Sequence, residues 1–270
     1  MFRIHLPVRP CGILPILIIP VCFSMPLSTA IARAWRNVGM STLERMAPML
    51  ALKGREQTHM LINEIYASIQ GESSHAGRPC VFVRTTTCNL RCTYCDTAYA
   101  FTQGEPTRYE DVLTKATSFG IKLIEITGGE PLLQPLVPRL ARDLLARGYE
   151  VLCETSGALD ITLLPEGVKS IVDIKTPGSG EEAANDYGNL KRLRPHDEVK
   201  FVLCSRADYE WSRDLVRREK LHERTIVLFS CAFKQVDPDD LARWINEDKL
   251  PVRLNVQLHK YVWPPTKRGV

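Results

Sequence analysis

From residue 60 onward the chain alternates short, nearly unbroken apolar runs with longer amphipathic ones. The short runs predict strands at 80–86, 121–127, 149–153, 169–175, 198–203, 225–230 and 252–257. Near-continuous apolar strands are those of a parallel sheet covered on both faces. Helices are expected at about 107–118, 135–147, 206–220 and 238–247. Thr107 is placed to cap the first, with Glu110 three residues later as its box partner. Pro238 after Asp237 suits the first turn of the last. The stretch 176–189, rich in Gly, Ser and acids, reads as loop or short helix.

Strand–helix alternation implies an α/β fold with right-handed crossovers. Six or seven units fall short of a closed eight-fold barrel, so the expectation is a partial, open β/α barrel with a mostly parallel sheet. The unusual residues gather after the predicted strands. Cys88 follows the first, Thr127-Gly128-Gly129-Glu130-Pro131 the second and Glu154-Thr155-Ser156-Gly157 the third. Lys175, Ser230, and Gln257 with His259 and Lys260 close later ones. Strand ends on one face are where such folds carry their chemistry.

At 270 residues and 44% hydrophobic content the chain can bury a full core as one domain. The formal charge of +4 is uneven: residues 1–59 carry +5 and residues 60–270 carry −1. With a near-neutral body, nothing in the charge suggests a nucleic-acid footprint. Arg3 and Arg9 precede an apolar stretch, with Ala30-Ile31-Ala32 behind it, which is signal-peptide grammar. Pro15, Pro20 and Pro26 argue against a spanning helix. Reduced thiols in the body belong in a reducing, cytoplasmic compartment. The reading adopted is an N-terminal extension, 1–59, ahead of a core domain, 60–270, with the working protein beginning near Met60.

Cys88, Cys92 and Cys95 stand in the run CNLRCTYCD, and no fourth cysteine completes the set. A four-iron cluster normally takes four thiolates; three would leave one iron with the open position of a reactive site. Zinc would need a fourth ligand at matching spacing, whereas Cys80, Cys153, Cys204 and Cys231 are scattered singly. Nine cysteines is an odd number in a chain too long to need staples, so a disulfide framework is not expected.

Two glycines after a buried strand, in TGGEP, let the backbone approach a ligand; an ordinary Gly-Gly turn is the competing reading. Glu154 and Ser156 suit a ribose or the cap of a turn. Gln70 and Glu72, in Ile69-Gln70-Gly71-Glu72, offer donor and acceptor groups to the edge of a pterin-like ring. Arg84 can take a carboxylate bidentately or form a surface ion pair. Thr97, after Asp96, is a hard oxygen ligand suited to Mg²⁺ or a turn residue. His259 is a donor to substrate or a structural histidine.

Taken in order, QGE, GRP-x-VFVR, CNLRC-TYC-DT, ITGGEP, ETSG, DIK, KFV and QLHKYVW resemble the 7-carboxy-7-deazaguanine synthase family of radical S-adenosylmethionine (SAM) enzymes. The resemblance runs from about residue 61 to 270. It implies a reduced, partial barrel, commonly a homodimer, that contracts 6-carboxy-5,6,7,8-tetrahydropterin to 7-carboxy-7-deazaguanine with loss of ammonia, on the route to queuosine and other 7-deazapurines. It also implies a 4Fe–4S cluster, SAM, Mg²⁺ and a flavodoxin-type electron donor, with no nucleic acid or membrane as partner. Carried over by position, Cys88, Cys92 and Cys95 ligate the cluster and Thr97 binds Mg²⁺. Ile69, Gln70, Gly71, Glu72, Arg84, Thr127 and His259 contact the pterin. Gly129, Glu130, Glu154, Ser156, Asp173, Ile174, Lys175, Ser230, Cys231, Ala232 and Phe233 form the SAM site. The sequence departs from the family at Asp173-Ile174-Lys175, where Ser-Pro-Lys is frequent, and in the tail beyond HKY. The competing functions are a glycyl-radical-enzyme activator, which acts on a protein backbone, and a non-catalytic iron–sulfur electron carrier. QGE, Arg84 and HKYVW suit a small polar heterocycle better than a backbone.

Overall fold

The computed structural model describes residues 44–270. Their strands form one sheet: β1 (His59–Ile69), β2 (Pro79–Thr85), β3 (Glu105–Arg108), β4 (Leu123–Gly128), β5 (Glu150–Thr155), β6 (Lys169–Ile174), β7 (Glu198–Leu203), β8 (Ile226–Cys231) and β9 (Arg253–Asn255). The order across the sheet is β3-β1-β2-β4-β5-β6-β7-β8-β9. From β2 through β9 every neighbouring pair is parallel. These seven strands are the seven expected from the apolar runs. β3 and β9 do not pair, so the barrel is open.

β1 and β3 were not foreseen. Both run antiparallel, β1 against β2 and β3 against β1. β1 mixes Asn63, Glu64 and Ser68 among its apolar residues, and its register with β2 shifts between Ile62 and Glu64. A one-residue slip moves every later side chain to the other face, and that hides the alternation in sequence. β3 is four residues long, with Pro106 at an edge where a missing N–H is tolerated.

The helices are α1 (Tyr109–Thr117), α2 (Val137–Ala146), α3 (Asn189–Arg192), α4 (Arg206–Glu219), α5 (Pro238–Glu247) and α6 (His259–Val262). α1, α2, α4 and α5 answer the four predicted helices. Asp237 caps α5 through the Asp239 amide at 2.9 Å, with Pro238 in the first turn. The capping box at Thr107 and Glu110 does not form: the cap residue is Arg108, without a side-chain cap bond, and Thr107 lies in β3 opposite Met60. Sheet pairing takes the backbone that the cap would have used. The stretch 176–189 forms two short 3₁₀ turns, Pro177–Ser179 and Glu182–Ala184.

Apolar side chains from the outer face of the sheet pack against these helices in two clusters, one under α1 and α2 and one under α4 and α5. Two buried tyrosines tie the helix layer. Tyr109 donates to Asp143 at 2.6 Å, and Tyr209 donates to Asp248 Oδ2 and the Trp244 carbonyl, both at 2.7 Å. Among the described residues the inner face carries a small apolar cluster of Cys80, Phe82, Leu123, Leu152 and Ile171. Two residues further along each strand the inward positions turn polar, and the site begins.

The signal-like segment and the proposed late start fall mainly on residues 1–43, which lie outside the described residues. The boundary expected at residue 59/60 falls within the described residues. Ala47–Leu52 forms a 3₁₀ turn whose Met49 and Leu52 pack on Leu61, and Met60 is fully buried within β1. Among the described residues no helix is long and apolar enough to cross a membrane.

Candidate active site

The C-terminal ends of the parallel strands surround a cavity of about 540 Å³. That is the size of a small-molecule site. Cys88, Cys92 and Cys95 line one wall, in the irregular loop after β2. Beside them lies the turn after β4. Gly128 has φ +147, and a Cβ there would run into the Thr85 backbone. A Cβ on Gly129 would strike the Thr87 carbonyl and approach Cys88. Glycine is required at both places because two loops touch backbone to backbone. The Glu130 amide donates to the Thr87 carbonyl at 2.8 Å and completes the contact.

Two residues assigned to the SAM site do not present side chains to the cavity. Glu130 is fully buried: Oε1 accepts from the Leu132 amide and the Thr155 hydroxyl, both at 2.9 Å, and Oε2 accepts from the Ser156 amide at 2.7 Å. Its carboxylate pins the turn after β4 to the end of β5, which leaves it no free face for a ligand. Ile174 packs into the outer core beneath the helices. Strand alternation sends Asp173 inward and Ile174 outward. The other assigned residues, Gly129, Glu154, Ser156, Asp173, Lys175, Ser230, Cys231, Ala232 and Phe233, all line the cavity. So do Ile69, Gln70, Gly71, Glu72, Arg84, Thr127, His259 and Thr97.

Lys200, on β7, sits at the centre of the polar layer. Its ammonium lies 3.0 Å from Glu72 and 3.6 Å from Asp173, and bonds Glu154 closely. Burial disfavours its charge, yet Glu154, Glu72 and Asp173 outweigh that and hold its pKa well above the usual lysine value. Glu72 is pulled down in turn, burial being overcome by Lys200, Gln257 and His259. Glu125, on β4, behaves oppositely. Burial, with the charge of Glu154, pushes it up to about 8, so it holds its proton at neutral pH. Gln70 joins the two: its Nε2 donates to Glu125 and its Oε1 accepts from the Glu72 amide at 3.0 Å. Glu125 and Lys200 were missed in the sequence, where each reads as one polar residue inside an apolar strand.

Arg84 is held on two sides. Nε donates to Glu64 at 2.7 Å and one terminal nitrogen donates to the Tyr66 hydroxyl at 2.8 Å. Glu64 also accepts from Tyr99 at 3.0 Å. His259 packs where a Gly71 side chain would stand and makes no hydrogen bond to a described residue through its ring. Thr97 donates to Asp96 at 2.9 Å, and Lys260 Nζ bonds the other Asp96 oxygen at 2.6 Å.

The donor set fits an iron–sulfur cluster with a nucleoside ligand. Three soft thiols face one cavity. Burial raises all three thiol pKa values, Cys88 to about 12, against the lowering charge of Lys175. Tyr94 Oη, Ser156 Oγ and Asp173 Oδ1 are buried in the cavity wall without a hydrogen-bond partner among the described residues. Orphaned polar atoms on a cavity wall are groups that a ligand would satisfy.

Comparison with known proteins agrees with this geometry. The Radical SAM superfamily profile matches residues 82–246. A 7-carboxy-7-deazaguanine synthase of Koribacter versatilis is 47% identical over 227 residues, covering 78% of this chain and all of the relative. The chain belongs to the 7-carboxy-7-deazaguanine synthase family. A second relative of that name, from Chlorobaculum tepidum, is 41% identical and covers 77% of this chain and 96% of its own length. The crystal structure of QueE from Escherichia coli superposes with a TM-score of 0.62 at 23% identity, covering 78% of this chain and 98% of that one, and shares the fold. Membership in the 7-carboxy-7-deazaguanine synthase family makes the chain a radical SAM enzyme, with a 4Fe–4S cluster and SAM as cofactors.

Proposed function

We propose that the chain contracts 6-carboxy-5,6,7,8-tetrahydropterin to 7-carboxy-7-deazaguanine with loss of ammonia, in queuosine or 7-deazapurine biosynthesis. One observation carries this reading: the three cysteines share a cavity with Gln70, Glu72, Arg84 and Thr127. Groups suited to a redox cofactor thus share one cavity with groups suited to a small polar substrate.

Cys88, Cys92 and Cys95 would hold the cluster, and the turn at Gly129 with Glu154, Ser156, Asp173 and Lys175 would hold SAM. Bound there, the pair would supply one-electron radical chemistry to the substrate. The chain's own residues bind and orient. Arg84, fixed by Glu64 and Tyr66, turns its remaining N–H edge to the substrate carboxylate. Glu72, kept ionised by Lys200, accepts from ring N–H groups, and protonated Glu125 presents a donor on the same wall. Thr97 would take Mg²⁺ through its hydroxyl, with the neighbouring Asp96 carboxylate adding negative charge. A flavodoxin-type donor, a homodimer and a reducing cytoplasmic setting complete the proposal. The seven described cysteines are free thiols, in keeping with that setting.

The test is anaerobic incubation of reduced, cluster-loaded protein with SAM and the carboxytetrahydropterin. The deazaguanine chromophore is expected, with SAM conserved over turnovers. Formation of 5′-deoxyadenosine without any deazaguanine would overturn the substrate assignment.

A further inference from the structure

The cysteine loop is anchored at three places. At one end the Thr87 amide donates to the Ala100 carbonyl at 2.8 Å. At the other, the Thr93 amide donates to the Ser179 carbonyl at 3.0 Å and its hydroxyl to the Gly178 carbonyl at 2.8 Å. Between them, in the span joining Cys88 to Cys92, the anchors come from side chains distant in sequence. Glu181 Oε1 accepts from the Arg91 amide at 2.6 Å. The same oxygen accepts from Arg45 at 2.8 Å, and that Arg45 nitrogen also donates to the Asn89 carbonyl at 3.0 Å.

Arg45 belongs to the segment ahead of β1, upstream of the stretch over which the sequence resembles the family. The segment is fixed by burial: Met46, Met49 and Leu52 are all buried, the last two against Leu61. Arg45 is only 29% exposed and Glu181 13%, so this pair is better shielded than a surface ion pair. A continuous linkage therefore runs from β1 through Leu52 and Arg45 to the backbone between two of the cysteines.

We propose that Arg45 is a positioning residue for the cysteine loop, holding the Cys88–Cys92 span in ligating shape before iron arrives and retarding iron loss afterwards. This rests on the assignment of Cys88, Cys92 and Cys95 to the cluster, but the loop restraint itself is a property of the metal-free chain. The N-terminal segment thereby acts as a brace for the site.

The experiment is hydrogen–deuterium exchange on metal-free full-length protein, followed by iron release to a chelator from anaerobically reconstituted protein. In Arg45→Ala, amides of residues 89–92 should exchange about fivefold faster, and iron should leave faster by a similar factor, as expected for loss of about 1 kcal/mol in a partly shielded charge pair. Arg45→Lys should fall between wild type and Arg45→Ala. Glu181→Gln should speed exchange too, and combining it with Arg45→Ala should add less than the sum, because the two share the Arg45–Glu181 ion pair beside their separate contacts to the loop backbone. Unchanged exchange at 89–92, equal acceleration throughout β1, or additive effects would each overturn the proposal. A protein that makes no deazaguanine yet shows the local exchange change would leave it standing and refute only the substrate reading.

Discussion

Lys200 Nζ lies 3.0 Å from Glu72 Oε2, although the two residues are 128 positions apart in sequence. One comes from the middle of β7 and the other from the loop after β1. Their meeting makes the polar floor of the site a single electrostatic unit, since Lys200 also reaches Glu154 and Asp173. Removing the cation leaves these acids facing one another in a buried layer.

Lys200→Met should therefore lower folding stability by about 3–5 kcal/mol, the effect of leaving buried charge unpaired. Denaturant unfolding at neutral pH checks this. The deficit should shrink as pH falls and the carboxylates take up protons. A deficit that does not vary with pH would contradict the role given to Lys200.

Glu125 titrates at about 8 in the folded protein against 4.5 for an unperturbed side chain. A raised carboxyl favours folding fully below the lower value, and that contribution is lost as pH rises towards the upper one. Glu125→Gln keeps the acceptor for Gln70 and removes the ionisation. Relative to wild type, the variant should gain stability steadily between about pH 4.5 and 8. Parallel melting curves across that range would count against a buried neutral acid.

Cys92→Ala should abolish turnover while leaving the fold intact, because Cys92 is only partly buried and the loop retains its other anchors. Iron content and circular dichroism separate the two effects. Retained activity with a full iron complement would remove Cys92 from the ligand set.

Arg84→Ala should chiefly weaken substrate binding, raising KM by about tenfold to a hundredfold for one charge-assisted contact. Cluster content should not change. An unaltered affinity for the carboxytetrahydropterin would refute the assignment.

Gly129→Ala should impair cluster assembly more than folding. The added methyl collides with the Thr87 carbonyl and presses on Cys88. The clash must be relieved by moving the cysteine loop away from β4, so low iron incorporation with near-normal secondary structure is expected.

Much of this protein is local and was readable along the chain. The seven parallel strands announce themselves as short apolar runs because burial on both faces leaves no polar side to disguise them. The cysteine spacing and the TGGEP turn are legible because one loop or one turn contains the whole chemical requirement. Asp237 and Pro238 start their helix by contacts within three residues. The tertiary structure decided everything that depends on which face of a strand a residue occupies. Glu125 and Lys200 look like interruptions in apolar strands until the register turns both inward, and Ile174 turns outward between Asp173 and Lys175 by the same alternation. β1 and β3 became strands through antiparallel edge pairing, a partnership that overrode a plausible cap at Thr107. Glu130 and Arg45 acquired their roles only when loops remote in sequence came within hydrogen-bond reach. Local pattern fixes where chain elements lie, but long-range pairing and burial decide which charges meet, and those meetings set the shape and the protonation of the site.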